Sequence, residues 1–244
     1  MNALPETTQS ESLNSLKPEE LLRWAWETCR DRAAIFTGLQ NTGCVIIDMA
    51  HRVAPDLRVI AIDTLRLPRE TYELMEALEA RYGIAIERFR PDPGRLEEMI
   101  RQHGEYLFFD SRARQELCCR VRKVEPNQRA LDTVDVWITG LRRDQSTGRA
   151  TTPRVDTVDH KDRGIIKLCP LADWTEKQVW EYIRRNDVPC NRLYDKGYKS
   201  IGCEICSTPV LPGEDLRAGR WRWMNQLEQA RHKECGLHVK GSAI

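Results

Sequence analysis

The strongest constraint on this chain is a repeated alternation of short apolar runs with segments of helical period. Ala33 to Thr37 is strand-like and runs into a Gly/Asn/Thr-rich turn, after which Val45, Ile46 and Met49 follow helical spacing. Val59-Ile60-Ala61-Ile62-Asp63 reads as a second strand, and Pro68 to Tyr82 carries Tyr72, Met75, Leu78 and Tyr82 near helical spacing before stopping at Gly83. Ile84 and Ile86 resume an extended pattern, and a helix follows Pro93. Val134 to Thr139 and Gly164 to Leu168 read as further strands, the last leading into a helix for which Asp173 and Glu176 fit a capping box. Ahead of them all, Leu21, Leu22, Ala25, Trp26 and Cys29 form one apolar stripe behind Pro18. Strands that alternate with helices are joined by crossovers, which predicts an α/β fold with a doubly wound, mainly parallel sheet. A ligand of such a sheet lies beyond the carboxyl ends of its strands, so the turns after Thr37, Asp63 and Thr139 are where a site belongs.

The regular pattern fades after about Asn186. Three segments are expected: a polar, mobile tail at residues 1–16, an α/β domain at 17–200, and an irregular C-terminal segment at 201–244 that holds three cysteines and a cluster of arginines. The 38 Lys and Arg against 37 Asp and Glu leave a net charge of +1, so no general basic field exists to bind nucleic acid, and any anion site must be local. No apolar run approaches the roughly 20 residues that span a bilayer, and the first residues lack the basic start and apolar middle of a secretory signal. A cytoplasmic protein without membrane or nucleic-acid partners is the expectation.

Nine cysteines in such a chain need an explanation other than a disulfide framework, since an odd number cannot all pair and a reducing compartment keeps thiols free. Cys203-Glu-Ile-Cys206 puts two thiols on one tight turn, a spacing used for metal chelation or for dithiol redox chemistry. Cys118 and Cys119 are neighbours on a helix-compatible stretch. Adjacent helical residues point about 100° apart and do not easily serve one tetrahedral ion, whereas a cluster with separate iron corners is more tolerant. Together Cys118, Cys119, Cys203 and Cys206 meet the four-thiolate requirement of an iron-sulfur cubane, and Arg120, Arg122 and Lys123 would offset its negative charge. The alternative is a solvated basic helix with two packed thiols.

Cys235 is a different kind of thiol. It lies in Lys233-Glu-Cys-Gly-Leu-His238 with His232, Lys233 and His238 around it, and nearby cations favour the nucleophilic thiolate. The alternative is an exposed thiol of no consequence. Two arginine-rich stretches could bind anions: Gly140 to Arg149, directly after a strand and bearing Arg142, Arg143 and Arg149, and Arg217-Ala-Gly-Arg220-Trp-Arg222.

These residues occur in blocks, in order: Cys118-Cys119-Arg-Val-Arg-Lys123-Val-Glu-Pro126, Trp137-Ile-Thr-Gly-Leu-Arg-Arg-Asp-Gln-Ser146, Pro170-Leu-Ala-Asp-Trp174, Gly197-Tyr-Lys-Ser-Ile-Gly-Cys203, Arg217-Ala-Gly-Arg-Trp221 and Glu234-Cys-Gly-Leu-His238. In them, from about Thr37 to His238, the chain resembles the thioredoxin-dependent adenylyl-sulfate and phosphoadenylyl-sulfate reductases of sulfate assimilation. The resemblance implies an adenine-nucleotide α-hydrolase-like fold with a pyrophosphatase-type loop after the first strand. It implies a 4Fe-4S cluster on Cys118, Cys119, Cys203 and Cys206, as in the adenylyl-sulfate branch. Lys123 matches a lysine linking cluster and substrate, Arg149, Arg217 and Arg220 match substrate-contacting arginines, and Cys235 matches the catalytic nucleophile. Arg142, Arg143 and His238 lie in the matching blocks and are expected at the substrate too. No thioredoxin-like domain is recognised in the chain, so thioredoxin or a glutaredoxin-like protein is the expected external reductant. A homo-oligomer is compatible with the resemblance.

The chain departs from that pattern in places. Thr37-Gly-Leu-Gln-Asn-Thr-Gly43 is not the Ser-Gly-Gly-x-Asp-Ser common in this fold, and Asp63-Thr64-Leu65 replaces the usual Asp-Thr-Gly. Cys29, Cys44, Cys169 and Cys190 read as core thiols, with Cys190 close enough in sequence to Cys203 to be a rival ligand. Three rival functions stand beside the first: phosphoadenylyl-sulfate reduction, a zinc-stabilised nucleotide-binding protein, and a tRNA-thiolating enzyme, the last disfavoured by the low net charge.

Overall fold

The structure, a computed structural model, describes residues 12–227. The chain divides into two compact units, each assembled from separate stretches. The first comprises Met1–Ala61, Thr71–Glu87 and Leu131–Asn191, and the second Ile62–Glu70, Arg88–Ala130 and Arg192–Ile244. A linear division at residue 200 does not describe this arrangement, because the second unit draws on residues from the middle of the chain as well as its end. The eight labelled helices are α1 (Pro18–Cys29), α2 (Asn41–Val53), α3 (Arg69–Tyr82), α4 (Pro93–His103), α5 (Arg112–Cys119), α6 (Glu125–Leu131), α7 (Glu176–Asn186) and α8 (Arg222–Leu227). None of the described helices is long and apolar enough to cross a membrane.

The first unit carries the body of a six-stranded sheet. Its strands β1 (Ala33–Thr37), β2 (Arg58–Ile62), β3 (Ile86–Phe89), β4 (Val136–Thr139), β5 (Val155–His160) and β6 (Arg163–Leu168) lie in the order β3-β2-β1-β4-β6-β5. β1 pairs in parallel with both β2 and β4, and β4 with β6, in a register that aligns Ile35 with Val59 and Ile138, and Ile138 with Leu168. These are the doubly wound connections expected from the alternating pattern. All five residues of β1 are buried, as a central strand covered on both faces requires. On α2, Cys44, Val45, Ile46, Ile47 and Met49 are buried too.

Three local expectations need correction. β5 is a strand that the apolar pattern does not mark: it pairs antiparallel with β6 through a tight turn in which Lys161 and Asp162 both take left-handed backbone angles (φ 54° and 60°). Such a turn matches the twist of a hairpin, and the charges of Val155-Asp-Thr-Val-Asp-His160 are those of an edge strand rather than a buried one. The cap of α7 is Thr175 with Gln178, not Asp173 with Glu176. The Thr175 hydroxyl accepts from the Gln178 backbone N–H (3.3 Å), and the Gln178 side chain accepts from the Thr175 N–H (2.8 Å). Residues 12–16 do not behave as a tail. They include a short helical turn with Leu13 only 2% exposed, and Arg154 donates to the carbonyls of Asn14 (2.8 Å) and Leu16 (2.7 Å).

In the second unit, Asp92 caps α4 by accepting from the Arg95 N–H (2.9 Å), with Pro93 in the first turn where its missing N–H costs nothing. Ser111 caps α5 in the same way. Met99, Leu107, Phe108 and Cys118 form a small core on which Leu96, Ile100, Leu117, Val121 and Trp223 pack. Directly after Cys119 the α-helical turn widens into a π-helical one over Arg120–Val124. Single wide turns of this kind often mark functional positions.

Candidate active site and metal centre

In the first unit the chain leaves β1 at Thr37, turns, and enters α2 within a few residues. β1 and β4 are neighbours from which the sheet is wound in opposite directions, the place where such sheets bind ligands. The fit there is close. The Thr37 hydroxyl accepts from the Leu39 N–H at 2.9 Å, and Leu39 takes a left-handed φ of 53°. A Cβ on Gly43 would strike Thr37 Oγ1, and one on Gly140 would meet the Gly43 nitrogen at 3.2 Å. The glycines thus let the two turns lie against each other at the N-terminus of α2, the end of a helix that favours negative charge.

The arginines of the following loop divide in two. Arg142 is 2% exposed. Its Nη1 donates to the Thr42 hydroxyl and its Nε to Asp144 (2.9 Å), while its backbone N–H donates to Gln145 Oε1 (3.1 Å). Arg149 Nη1 donates to that same Gln145 oxygen at 2.6 Å, so one glutamine organises both arginines. Arg143 is turned instead to Asp173 and to the Thr152 carbonyl (2.8 Å). Nothing in the sequence marks Thr42, Asp144 or Gln145 individually as partners of these arginines. The two turn positions were visible there, but the bond from Arg142 to Thr42 spans 100 residues.

In the second unit, Cys118, Cys119, Cys203 and Cys206 line one cavity together with Arg66, Gln115 and Lys123. The cavity holds about 350 Å³ of empty space, part of it open to solvent. One pair of thiols ends α5, and the other sits on a single 3₁₀ turn over Glu204–Cys206. That turn is held from several sides. The Glu204 N–H donates to the Arg66 carbonyl (2.8 Å), and Ser207 Oγ bridges the Gly202 N–H (2.9 Å) and the Cys203 carbonyl (3.0 Å). The Thr64 hydroxyl lies 3.2 Å from Cys203 Sγ, and Gln115 Nε2 donates to Cys119 Sγ at 3.1 Å.

Burial raises the Cys118 thiol above its ordinary range, with Arg66 and Arg122 pulling it back down. Burial pushes Cys206 up to about 12, reinforced by Cys203 and opposed by Arg220 and Lys123. Neither is a thiolate by itself at neutral pH, whereas a bound metal deprotonates a coordinating thiol outright. Among the described residues no three thiol, imidazole or carboxylate groups converge on one point as a lone metal ion requires. A four-iron cluster takes one thiolate at each corner, and Cys118, Cys119, Cys203 and Cys206 all line this cavity.

Arg217 and Arg220 are 7% and 4% exposed. Arg217 Nη1 donates to Ser200 Oγ (3.2 Å) and Arg220 Nε to the Cys206 carbonyl (3.2 Å). Arg220 lies over Gly202 so closely that a Cβ there would overlap its guanidinium, which ties this arginine to the loop bearing Cys203. Leu65, in the position where glycine was expected, takes a left-handed φ of 57° and its N–H donates to Asp63 Oδ1 (3.0 Å), which accounts physically for a glycine there. Cys190 does not line the four-cysteine cavity. Cys44 and Cys169 are buried, and burial drives both thiols up, Cys169 to about 11, as inert core cysteines require. Cys235 and His238 lie outside the described residues.

The model of the phosphoadenosine phosphosulfate reductase domain matches residues 34–209. A protein of Allochromatium vinosum named adenosine 5'-phosphosulfate reductase is 42% identical over 214 residues, covering 87% of this chain and 81% of that protein. Among solved structures, the phosphate complex of phosphoadenylyl-sulfate reductase from Candida auris is 34% identical with a TM-score of 0.71, covering 86% of this chain and all of that one. Candida glabrata FMN adenylyltransferase is similar in fold alone, with 13% identity and a TM-score of 0.55 over 96% of this chain and 77% of that chain.

Proposed function

This chain belongs to the phosphoadenosine phosphosulfate reductase family, and from that premise we propose that it is an oxidoreductase that reduces adenylyl sulfate to sulfite and AMP in sulfate assimilation. The observation that carries this reading is the ring of four thiols, Cys118, Cys119, Cys203 and Cys206, around one cavity with Lys123 beside them. Phosphoadenylyl sulfate, the substrate in the name of the Candida auris relative, is the second reading; the tandem cysteines favour the nucleotide without the 3′-phosphate. A cytoplasmic location and a thioredoxin or glutaredoxin-like reductant belong to the same proposal.

The chemistry follows from the charge of the substrate. Its sulfur is electron-poor but shielded by anionic oxygens, so an attacking thiolate needs those charges offset as the new bond forms. Arg142, Arg149, Arg217 and Arg220, with Lys123, are the cations that this reading assigns to that task. The Cys235 thiolate attacks the sulfur, the bond from sulfur to the phosphate oxygen breaks, and AMP leaves with that electron pair. Cys235 is then an S-sulfocysteine. A thiolate of the dithiol reductant attacks Cys235 Sγ, sulfite leaves with the S–S electron pair, and the second thiol of the reductant resolves the mixed disulfide and frees Cys235. The dithiol thus provides the two electrons. A 4Fe-4S cluster on the four thiols would order the two cysteine-bearing segments and, through Lys123, tune the charge at the sulfate.

The test is thioredoxin-dependent sulfite release measured in parallel from both nucleotides on anaerobically purified protein, with iron and sulfide determined on the same sample. The reading expects turnover of adenylyl sulfate in excess, and a sulfonate adduct, seen by intact mass, that disappears in Cys235→Ser. A colourless, iron-free protein that is fully active sinks the cluster, and an adduct persisting on Cys235→Ser removes the nucleophile.

A further inference from the structure

We propose that Gln115 is a positioning residue for Cys119: its side-chain amide holds that sulfur through an N–H···S hydrogen bond and thereby sets how firmly the cluster is retained. The proposal rests on the reading that Cys118, Cys119, Cys203 and Cys206 bind a four-iron cluster. Gln115 is 3% exposed, lines the four-cysteine cavity, and places Nε2 3.1 Å from Cys119 Sγ.

The geometry follows from the helix. Gln115 and Cys119 are four residues apart on α5, so their side chains share a face, and the widened turn over Arg120–Val124 begins only after both. A buried primary amide is a costly group to place in a core and must find partners for its polar atoms. An apolar side chain would pack there at lower cost if packing were all that was needed. A metal-bound thiolate carries no proton and can only accept, so it fixes which end of the amide faces it. An N–H directed at such a sulfur withdraws electron density from the Fe–S bond and shields the thiolate, one of the levers by which proteins tune these clusters.

The test uses the full chain, purified anaerobically, as the parent, as Gln115→Met, which keeps the length and loses the donor, and as Gln115→Glu, which keeps the shape and turns an acceptor toward the sulfur. Three quantities are read: iron and sulfide per chain, the Fe–S(Cys) stretching frequencies by resonance Raman, and the rate at which the visible absorption bleaches under a ferrous chelator. Groups that hydrogen-bond a metal ligand are worth about tenfold or more in metal affinity. Gln115→Met should therefore bleach about tenfold faster than the parent, with Fe–S(Cys) modes shifted to higher frequency and far-UV circular dichroism unchanged. Gln115→Glu should move in the same direction and further, and it reports on the bond independently if Gln115→Met does not fold. A loaded parent and a loaded variant with the same Raman bands and bleaching rates within twofold overturn the role of Gln115 alone. A parent without iron and sulfide overturns the cluster reading and this proposal with it.

Discussion

Gly43→Ala should destabilise the first unit through one identifiable collision. Gly43 is the third residue of α2, and an added Cβ would overlap Thr37 Oγ1 and stand 3.3 Å from Thr37 Cβ. Thr37 is not free to rotate away, because its hydroxyl accepts from the Leu39 N–H at 2.9 Å and both residues are buried. Overpacking of this kind costs about 1–3 kcal/mol; the alternative response, turning the Thr37 hydroxyl away and leaving the Leu39 N–H unsatisfied, costs a similar ~1–3 kcal/mol. Exchanging glycine for alanine in a helix returns about 1 kcal/mol. The net loss of roughly 0–2 kcal/mol corresponds to a Tm lower by up to about 6 °C at ~3 °C per kcal/mol. The sharper assay is a double-mutant cycle with Thr37→Ala, which removes the atom that is struck. In the Thr37→Ala background the alanine should cost little or stabilise, giving a coupling of about 1–3 kcal/mol. If the two changes add to within ~0.5 kcal/mol, Gly43 is not there to make room for Thr37 and the reasoning fails. Isothermal titration with AMP should show weakened binding for Gly43→Ala and not for an exposed glycine such as Gly83.

Arg142→Met removes a buried guanidinium from Thr42 and Asp144; we expect a loss of about 1–3 kcal/mol in urea unfolding together with weaker AMP binding, and unchanged binding would show that Arg142 is purely structural. Leu65→Gly relieves a left-handed backbone angle of 57° at a side chain 46% exposed, so Tm should rise, by the ~1–2 kcal/mol of strain less the ~0.5–1 kcal/mol of extra chain entropy; a lower Tm contradicts this. Arg222 holds the Glu214 carboxyl down to about 2. The pair's stabilisation is therefore complete above the ordinary carboxylate pKa of ~4.3 and is lost as pH falls from there through about 2. The Tm gap between the parent and Glu214→Gln should close across that window, and a gap independent of pH would count against the pair. Arg154→Ala should expose the segment at residues 12–16 to faster proteolytic trimming, since it removes the bonds to Asn14 and Leu16; an unchanged rate would mean that burial of Leu13 alone holds it.

The alternating pattern of Ala33–Thr37, Val45–Met49 and Val59–Ile62 was enough to read the parallel, doubly wound sheet, because strand and helix periods are local properties of the chain. β5 escaped that reading because a charged edge strand lacks the apolar run that marks a central one. The C-terminal end of the tail escaped because what anchors it is Arg154, far along the sequence. Among the site residues, the cysteines and arginines were legible as residue types with chemistry. Gln115 was legible only in retrospect, by its spacing of four from Cys119.

By itself, then, the sequence determined which elements alternate and where the paired thiols and clustered arginines fall along the chain, since these depend on composition and on short-range period. Only the tertiary structure decided the rest. It interleaves residues 62–70, 88–130 and 192–227 in one unit, and there it sets Cys118 and Cys119 around the same cavity as Cys203 and Cys206. It buries Arg142 against Thr42 and aims the Gln115 amide at the Cys119 sulfur. Those relations are made by burial and by hydrogen bonds between residues far apart in the chain, and neither has a period that a one-dimensional pattern can carry.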